Sequence, residues 1–103
     1  MDDAPISKNV AENLLKEMIK SYENAVNRYV QWNLNQNQFD ALVSFTYNVG
    51  KEAFRTSTLL KKINQNPFDK NISYQFSRWN KSNGKVLGGL VKRRKQEAEL
   101  YFS

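Results

Sequence analysis

Asn35-Gln36-Asn37-Gln38-Phe39-Asp40-Ala41-Leu42-Val43-Ser44-Phe45-Thr46-Tyr47-Asn48-Val49-Gly50 is the stretch on which the fold turns. The polar run from Asn33 to Asn37 offers side-chain oxygens to the unpaired amides at a helix start. Phe39, Leu42, Val43, Phe45 and Thr46 follow at helical spacing, and Ala41 to Phe45 is apolar on more than one side. A helix that is apolar around much of its circumference must be enclosed by its neighbours. This segment is therefore expected to be the central buried helix. Gly50, just past Val49, fits the left-handed position that closes many helices.

Upstream, Ser7 or Asn9 can cap a long first helix whose apolar residues are Val10, Leu14, Leu15, Met18, Ile19, Tyr22, Val26, Tyr29 and Val30. Its other face carries Glu12, Lys16, Glu17, Lys20, Glu23 and Asn27, with Glu12 and Lys16 at the favourable i,i+4 spacing. Downstream, Phe54 reads as an anchor. Thr56 or Ser57 can cap a short helix carrying Leu59, Leu60 and Ile63, which Asn64-Gln65-Asn66-Pro67 breaks. From about Asp69, Ile72, Phe76 and Trp79 share one side, and Lys81 to Lys85 is a turn by composition. A last helix from Leu87 or Gly89 to Tyr101 places Leu90, Val91, Arg94, Ala98, Tyr101 and Phe102 on one face. Arg94 inside that stripe predicts a partly buried structural arginine paired with a carboxylate or with helix-end carbonyls. Lys92, Arg93 and Lys95 are expected on the outer face. Five helices without alternating strand patterns predict an all-α single small bundle over residues 1–103, with 1–6 as a flexible start.

A chain of 103 residues makes one small domain, and 40% hydrophobic residues suffice for a core. It contains no cysteine and no histidine, which removes disulfides, thiol and imidazole chemistry and the usual zinc ligands. Neither a metal nor a cofactor is expected. The net charge of +6 is unevenly placed: residues 1–50 carry four basic and six acidic side chains, residues 51–103 twelve and four. A positive C-terminal half favours anionic partners such as nucleic acid or anionic glycan. No apolar run approaches the ~20 residues of a membrane span, and Met1-Asp2-Asp3 opens no secretory leader, so a cytoplasmic protein without membrane contact is expected.

Four ordered motifs carry a resemblance: Leu34 to Gly50, Phe54-Arg55-Thr56-Ser57-Thr58-Leu59-Leu60, Phe76-Ser77-Arg78-Trp79-Asn80, and Gly84-Lys85-Val86-Leu87 followed by Gly89 to Arg94. Together they resemble the C-terminal lobe of phage-type lysozymes, the endolysin muramidases, over about Ile6 to Phe102. The resemblance implies that lobe's helical fold and one wall of a glycan cleft, with Tyr47, Asn48, Trp79 and Asn80 as retained sugar contacts. For Trp79 a plain core position is the competing reading. In that family a Glu, an Asp or Cys, and a Thr do the catalysis from a smaller lobe upstream of the long helix. Here the long helix begins almost at Met1, so no catalytic residues are assigned and no muramidase activity is expected.

Glycoside hydrolysis needs a proton donor with a raised pKa and a second carboxylate or positioned water within about 5–9.5 Å. Glu12, Glu17 and Glu23 read as solvated, and Glu97 and Glu99 lie among Arg93, Arg94 and Lys95. Asp40 and Glu52, flanking the central helix, are the acids hardest to dismiss. Three functions follow as expectations. The first is a non-catalytic binder of a host protein or ribonucleoprotein, such as an anti-CRISPR-like inhibitor of a host defence complex. Its interface would be an apolar patch at Val10, Leu14, Met18 and Tyr22, which also offers a homodimer contact. The second is a piece of an endolysin that hydrolyses peptidoglycan when complete, with weak glycan binding by this part alone. The third is a nucleic-acid-binding module using Lys85, Lys92, Arg93 and Lys95, with nonspecific phosphate contacts.

Overall fold

The computed structural model describes the backbone from Lys8 and side chains from Lys16 onward. Six helices and one short hairpin follow in order among the described residues: α1 Lys8–Tyr29, α2 Gln36–Val49, α3 Lys51–Arg55, α4 Thr58–Gln65, α5 Asn71–Ser77, β1 Lys81–Ser82, β2 Lys85–Val86 and α6 Gly88–Tyr101. The all-α class is as expected. The element count differs in two places, the helix α3 and the hairpin.

Helix α2 is the centre. Asn35 caps it through a reciprocal pair: its side chain accepts from the Gln38 amide at 2.8 Å, and Gln38 Oε1 accepts from the Asn35 amide at 2.9 Å. Ala41, Leu42 and Phe45 are fully buried. Gly50 closes the helix with φ 104° and ψ 152°, which corrects the left-handed helical geometry expected there. That region is essentially reserved for glycine, and the sharp change of direction lets α3 start at the next residue. Helix α3 has only five residues and buries Phe54 alone, so it shows no periodicity to read.

The core joins Val26 of α1, Val30 just past its end, Leu42 and Phe45 of α2, Leu59 and Ile63 of α4, Ile72 and Phe76 of α5 and Tyr101 of α6. Phe45 is its hub, with ring centroids at 6.2 Å from Phe54, 5.6 Å from Phe76 and 5.5 Å from Trp79, all edge-to-face. Such pairs add about 0.5–1.5 kcal/mol each beyond area burial. Asn64 ties the ends of α1 and α4 together. Its Oδ1 accepts from the Gln31 amide at 2.8 Å, its Nδ2 donates to the Tyr29 carbonyl at 3.0 Å, and its carbonyl accepts from Trp32 Nε1 at 2.8 Å.

Among the side chains of α1 that are described, those of its C-terminal part pack inward. Ala25, Val26 and Val30 are buried, whereas Met18 and Ile19 are exposed. The stretch expected to be a simple turn is a hairpin pairing Lys81 with Val86 and Ser82 with Lys85. Asn83 and Gly84 both have positive φ, 52° and 78°, as a two-residue turn matched to strand twist requires.

Candidate functional site

The C-terminal end of α2, the end of α5 and the hairpin converge on a recess of about 340 Å³ lined by Asn48, Val49, Trp79, Lys81, Ser82 and Leu90. Trp79 is half-buried and packs on the core through its contact with Phe45 at 5.5 Å. It also lines a second recess of about 300 Å³ with Thr56, Ser57, Thr58, Gln75 and Arg78. Trp79 thus packs on the core and at the same time lines two recesses. Arg78 Nη1 donates to Gln75 Oε1 at 3.0 Å, which sets the guanidinium beside the indole's recess.

The four expected sugar contacts do not share one site. Asn48 and Trp79 come together. Tyr47 lies in a different groove of about 340 Å³, with Ile19, Tyr22, Glu23, Asp40 and Arg93 among its lining residues. Asn80 lines the groove between α5 and α6, and its carbonyl accepts from the Leu87 amide at 3.0 Å, closing the hairpin. One helical residue step turns a side chain by about 100°, so Tyr47 and Asn48 diverge. Lys81 and Ser82 were not anticipated as lining residues. Asn83-Gly84 was the available signal for the hairpin that carries them.

The acids divide by environment. Glu52 is exposed and ion-paired with Arg55, and that hydrogen bond holds its carboxyl below the usual range, the opposite of what a proton donor needs. Asp40 is exposed and accepts from Gln36 Nε2 at 2.7 Å. Glu97 is buried, and burial pushes its pKa up. Yet it lines none of the recesses described above, and its oxygens are taken: Ser44 Oγ donates to Oε2 at 2.5 Å, Arg94 Nε lies 2.8 Å from Oε1 and Arg93 Nε 3.4 Å from Oε2. It is a structural acid.

Arg94 is 1% exposed, with its guanidinium carbon 5.1 Å from the Phe45 ring centroid, and burial lowers its pKa against the opposing pull of Glu97. Arg93 departs from the outer basic face assigned to it. It is half-buried, engages Glu97 and donates to Ser44 Oγ at 3.3 Å, because Glu97 one turn further on draws it inward. Lys85, Lys92 and Lys95 are exposed.

Of the apolar patch expected on the first helix, Met18 is 50% exposed. Tyr22 is not free. It packs edge-to-face on Tyr47 at 5.3 Å, and Lys51 Nζ sits 5.0 Å from its ring centroid. The side chains of Val10 and Leu14 lie outside the described residues. No helix among the described residues is long and apolar enough to cross a membrane.

Residues 1–97 match the family model described as phage lysozyme. The chain belongs to the phage lysozyme family. It is 46% identical over 98 residues to the endolysin of Bacillus phage B103, covering 95% of this chain and 37% of that protein. To the endolysin of Salmonella phage P22 it is 38% identical, covering 95% of this chain and 66% of the relative. Among solved structures, P22 lysozyme superposes with a TM-score of 0.80 at 37% identity, covering 95% of this chain and 66% of that one. The muramidase domain of SpmX from Asticaccaulis excentricus gives 0.81 at 35% identity, with coverages of 94% and 68%. The chain therefore spans well under half the length of the Bacillus phage endolysins it matches. These likenesses support the endolysin expectation. The expectation of an inhibitor of a host defence complex finds no support in them, because the resemblance lies with phage lysozymes along nearly the whole chain.

Proposed function

We propose that this phage lysozyme domain forms the helical wall of a glycan cleft in a peptidoglycan-cleaving enzyme, with the Asn48, Trp79 and Lys81 recess holding sugar. The observation that carries the reading is the convergence of Asn48 and Trp79 on one recess in a chain of this family. An aromatic side chain beside amide and hydroxyl groups is a sugar-binding combination: the indole packs on apolar ring faces while Asn48 and Ser82 exchange hydrogen bonds with hydroxyls. Lys81 adds charge suited to an anionic wall polymer.

The proton donor and its partner come from outside the described residues. Among those residues the acid with a raised pKa, Glu97, is committed to two arginines and a serine. One wall alone encloses little of a polymer, so its affinity is weak, in the millimolar range of about 4 kcal/mol.

The test is titration of the chain with an N-acetylglucosamine trimer, followed by amide NMR, beside a clearing assay on purified peptidoglycan. Shifts centred on Asn48, Trp79, Lys81 and Ser82, no clearing, and weakening by Asn48→Ala are expected. Shifts centred elsewhere refute the recess as the sugar site. Clearing by the chain alone refutes the assignment of the carboxylates.

A further inference from the structure

The connection from α1 to α2 carries a recess of its own, of about 480 Å³, which shares no lining residue with the two recesses beside Trp79. Half-buried Leu34 and Phe39 line it together with exposed Asn27, Gln31, Trp32 and Asn33. Its volume falls within the range of about 300–1,000 Å³ in which small-molecule sites occur.

Trp32 is 48% exposed, an unusual place for the largest side chain, yet it is anchored. Its Nε1 donates to the Asn64 carbonyl at 2.8 Å, and the preceding Gln31 amide donates to Asn64 Oδ1 at 2.8 Å. The indole is thus held by its nitrogen edge and by the backbone beside it, so a ligand packing on it finds the ring already ordered. The side-chain amides of Asn27, Gln31 and Asn33 make no hydrogen bond among the described residues and are open to solvent. In a chain of net charge +6, no charged side chain lines this recess.

These properties select a ligand class. Without a cation the recess offers nothing to a phosphate or carboxylate, and three amides are wasted on an acyl chain. Each amide both donates and accepts, as the hydroxyl and acetamido groups around a sugar ring also do. The indole face and the apolar side chains of Leu34 and Phe39 match the C–H faces of the same ring.

We propose that the α1–α2 recess is a second carbohydrate site, separate from the cleft, which binds an uncharged N-acetylated sugar unit on Trp32 with Asn27, Gln31 and Asn33 around its rim. That the sugar belongs to the same wall polymer as the one in the cleft rests on the function proposed above. Two weak sites on one polymer raise the overall retention of the domain without a new contact at either.

The probe is the N-acetylglucosamine trimer, followed by amide NMR. A saturable set of shifts at Asn27, Gln31, Trp32 and Asn33 is expected, with an affinity that does not change between about 0.05 and 0.5 M salt. Trp32→Ala should weaken this set about tenfold or more and leave shifts at Asn48 and Trp79 as they were. Trp32→Phe, which keeps an aromatic face, should lose less. Asn27→Ala, an exposed helix position where alanine preserves the fold, should weaken the set as well, which keeps the test valid if Trp32→Ala unfolds. An uncharged glycine-serine peptide has amides and hydroxyls but no apolar face, and should leave these resonances unmoved. Shifts at the Trp32 set without any at Asn48 and Trp79 uphold this site and refute the cleft recess alone. Absence of the Trp32 set, an unchanged affinity in both Trp32→Ala and Asn27→Ala, loss of binding with salt, or equal shifts with the peptide would overturn the proposal.

Discussion

Glu97 and Arg94 form a buried pair whose removal separates charge from hydrogen bonding. Arg94 is 1% and Glu97 4% exposed, with Nε and Oε1 2.8 Å apart. Glu97→Leu strands a guanidinium that cannot lose its proton, and deleting one partner of a buried pair costs about 3–5 kcal/mol. Glu97→Gln keeps an amide oxygen for Arg94, so its loss is nearer that of one hydrogen bond, about 1 kcal/mol. Arg94→Met combined with Glu97→Leu removes both charges and should return stability close to the starting value, because the desolvation penalty disappears with the pair. Arg93, whose side chain is 41% exposed, can turn to solvent in that variant. Urea unfolding followed by circular dichroism at neutral pH reads the series. With a slope of about 1–3 kcal/mol per M, Glu97→Leu moves the midpoint down by more than about 1 M. A loss below about 1 kcal/mol for Glu97→Leu, or a double variant as unstable as that single one, would refute the reasoning.

The same acid predicts a pH effect. Burial raises the Glu97 pKa above its ordinary 4.5, so the folded chain holds this proton more tightly than the unfolded one. The group's contribution is fully present below 4.5 and is lost as pH rises through the raised folded value; the wild type minus Glu97→Gln difference in urea midpoint should fall over that window, and a rising difference contradicts it. Phe45→Ala, at the fully buried hub, should cost about 3–5 kcal/mol, measured by thermal unfolding, with Phe45→Leu markedly milder. Gly50→Ala meets no atom within 4 Å, so its expected cost of about 1–3 kcal/mol comes from the backbone at φ 104° alone; an unchanged melting temperature would contradict that. Tyr101→Phe leaves the Pro67 carbonyl without the hydroxyl that donates to it at 2.7 Å, an expected loss of about 1–2 kcal/mol in the same urea assay.

Helical class, the central place of Gln36–Val49, the break after Gln65 and an inward Arg94 were all legible along the chain. Each depends on spacing within a single helix or on the chemistry of a cap: Phe39, Leu42, Phe45 and Thr46 show their period, and Asn35 and Ser57 show their oxygens. The five-residue α3 carried too few residues to show a period. The hairpin was hidden because two-residue strands cannot alternate, although Asn83-Gly84 named its turn.

The candidate sites were less legible, because a recess is made by residues that only packing brings together. The sequence by itself determined which residues could face inward, since apolar period and side-chain chemistry are properties of one segment. Only the tertiary structure decided that Asn48 meets Trp79 while Tyr47 and Asn80 go to separate grooves. It also decided that Glu97 is buried and Arg93 turned toward it, because Ser44, 53 residues before Glu97, supplies the partner that makes this burial tolerable.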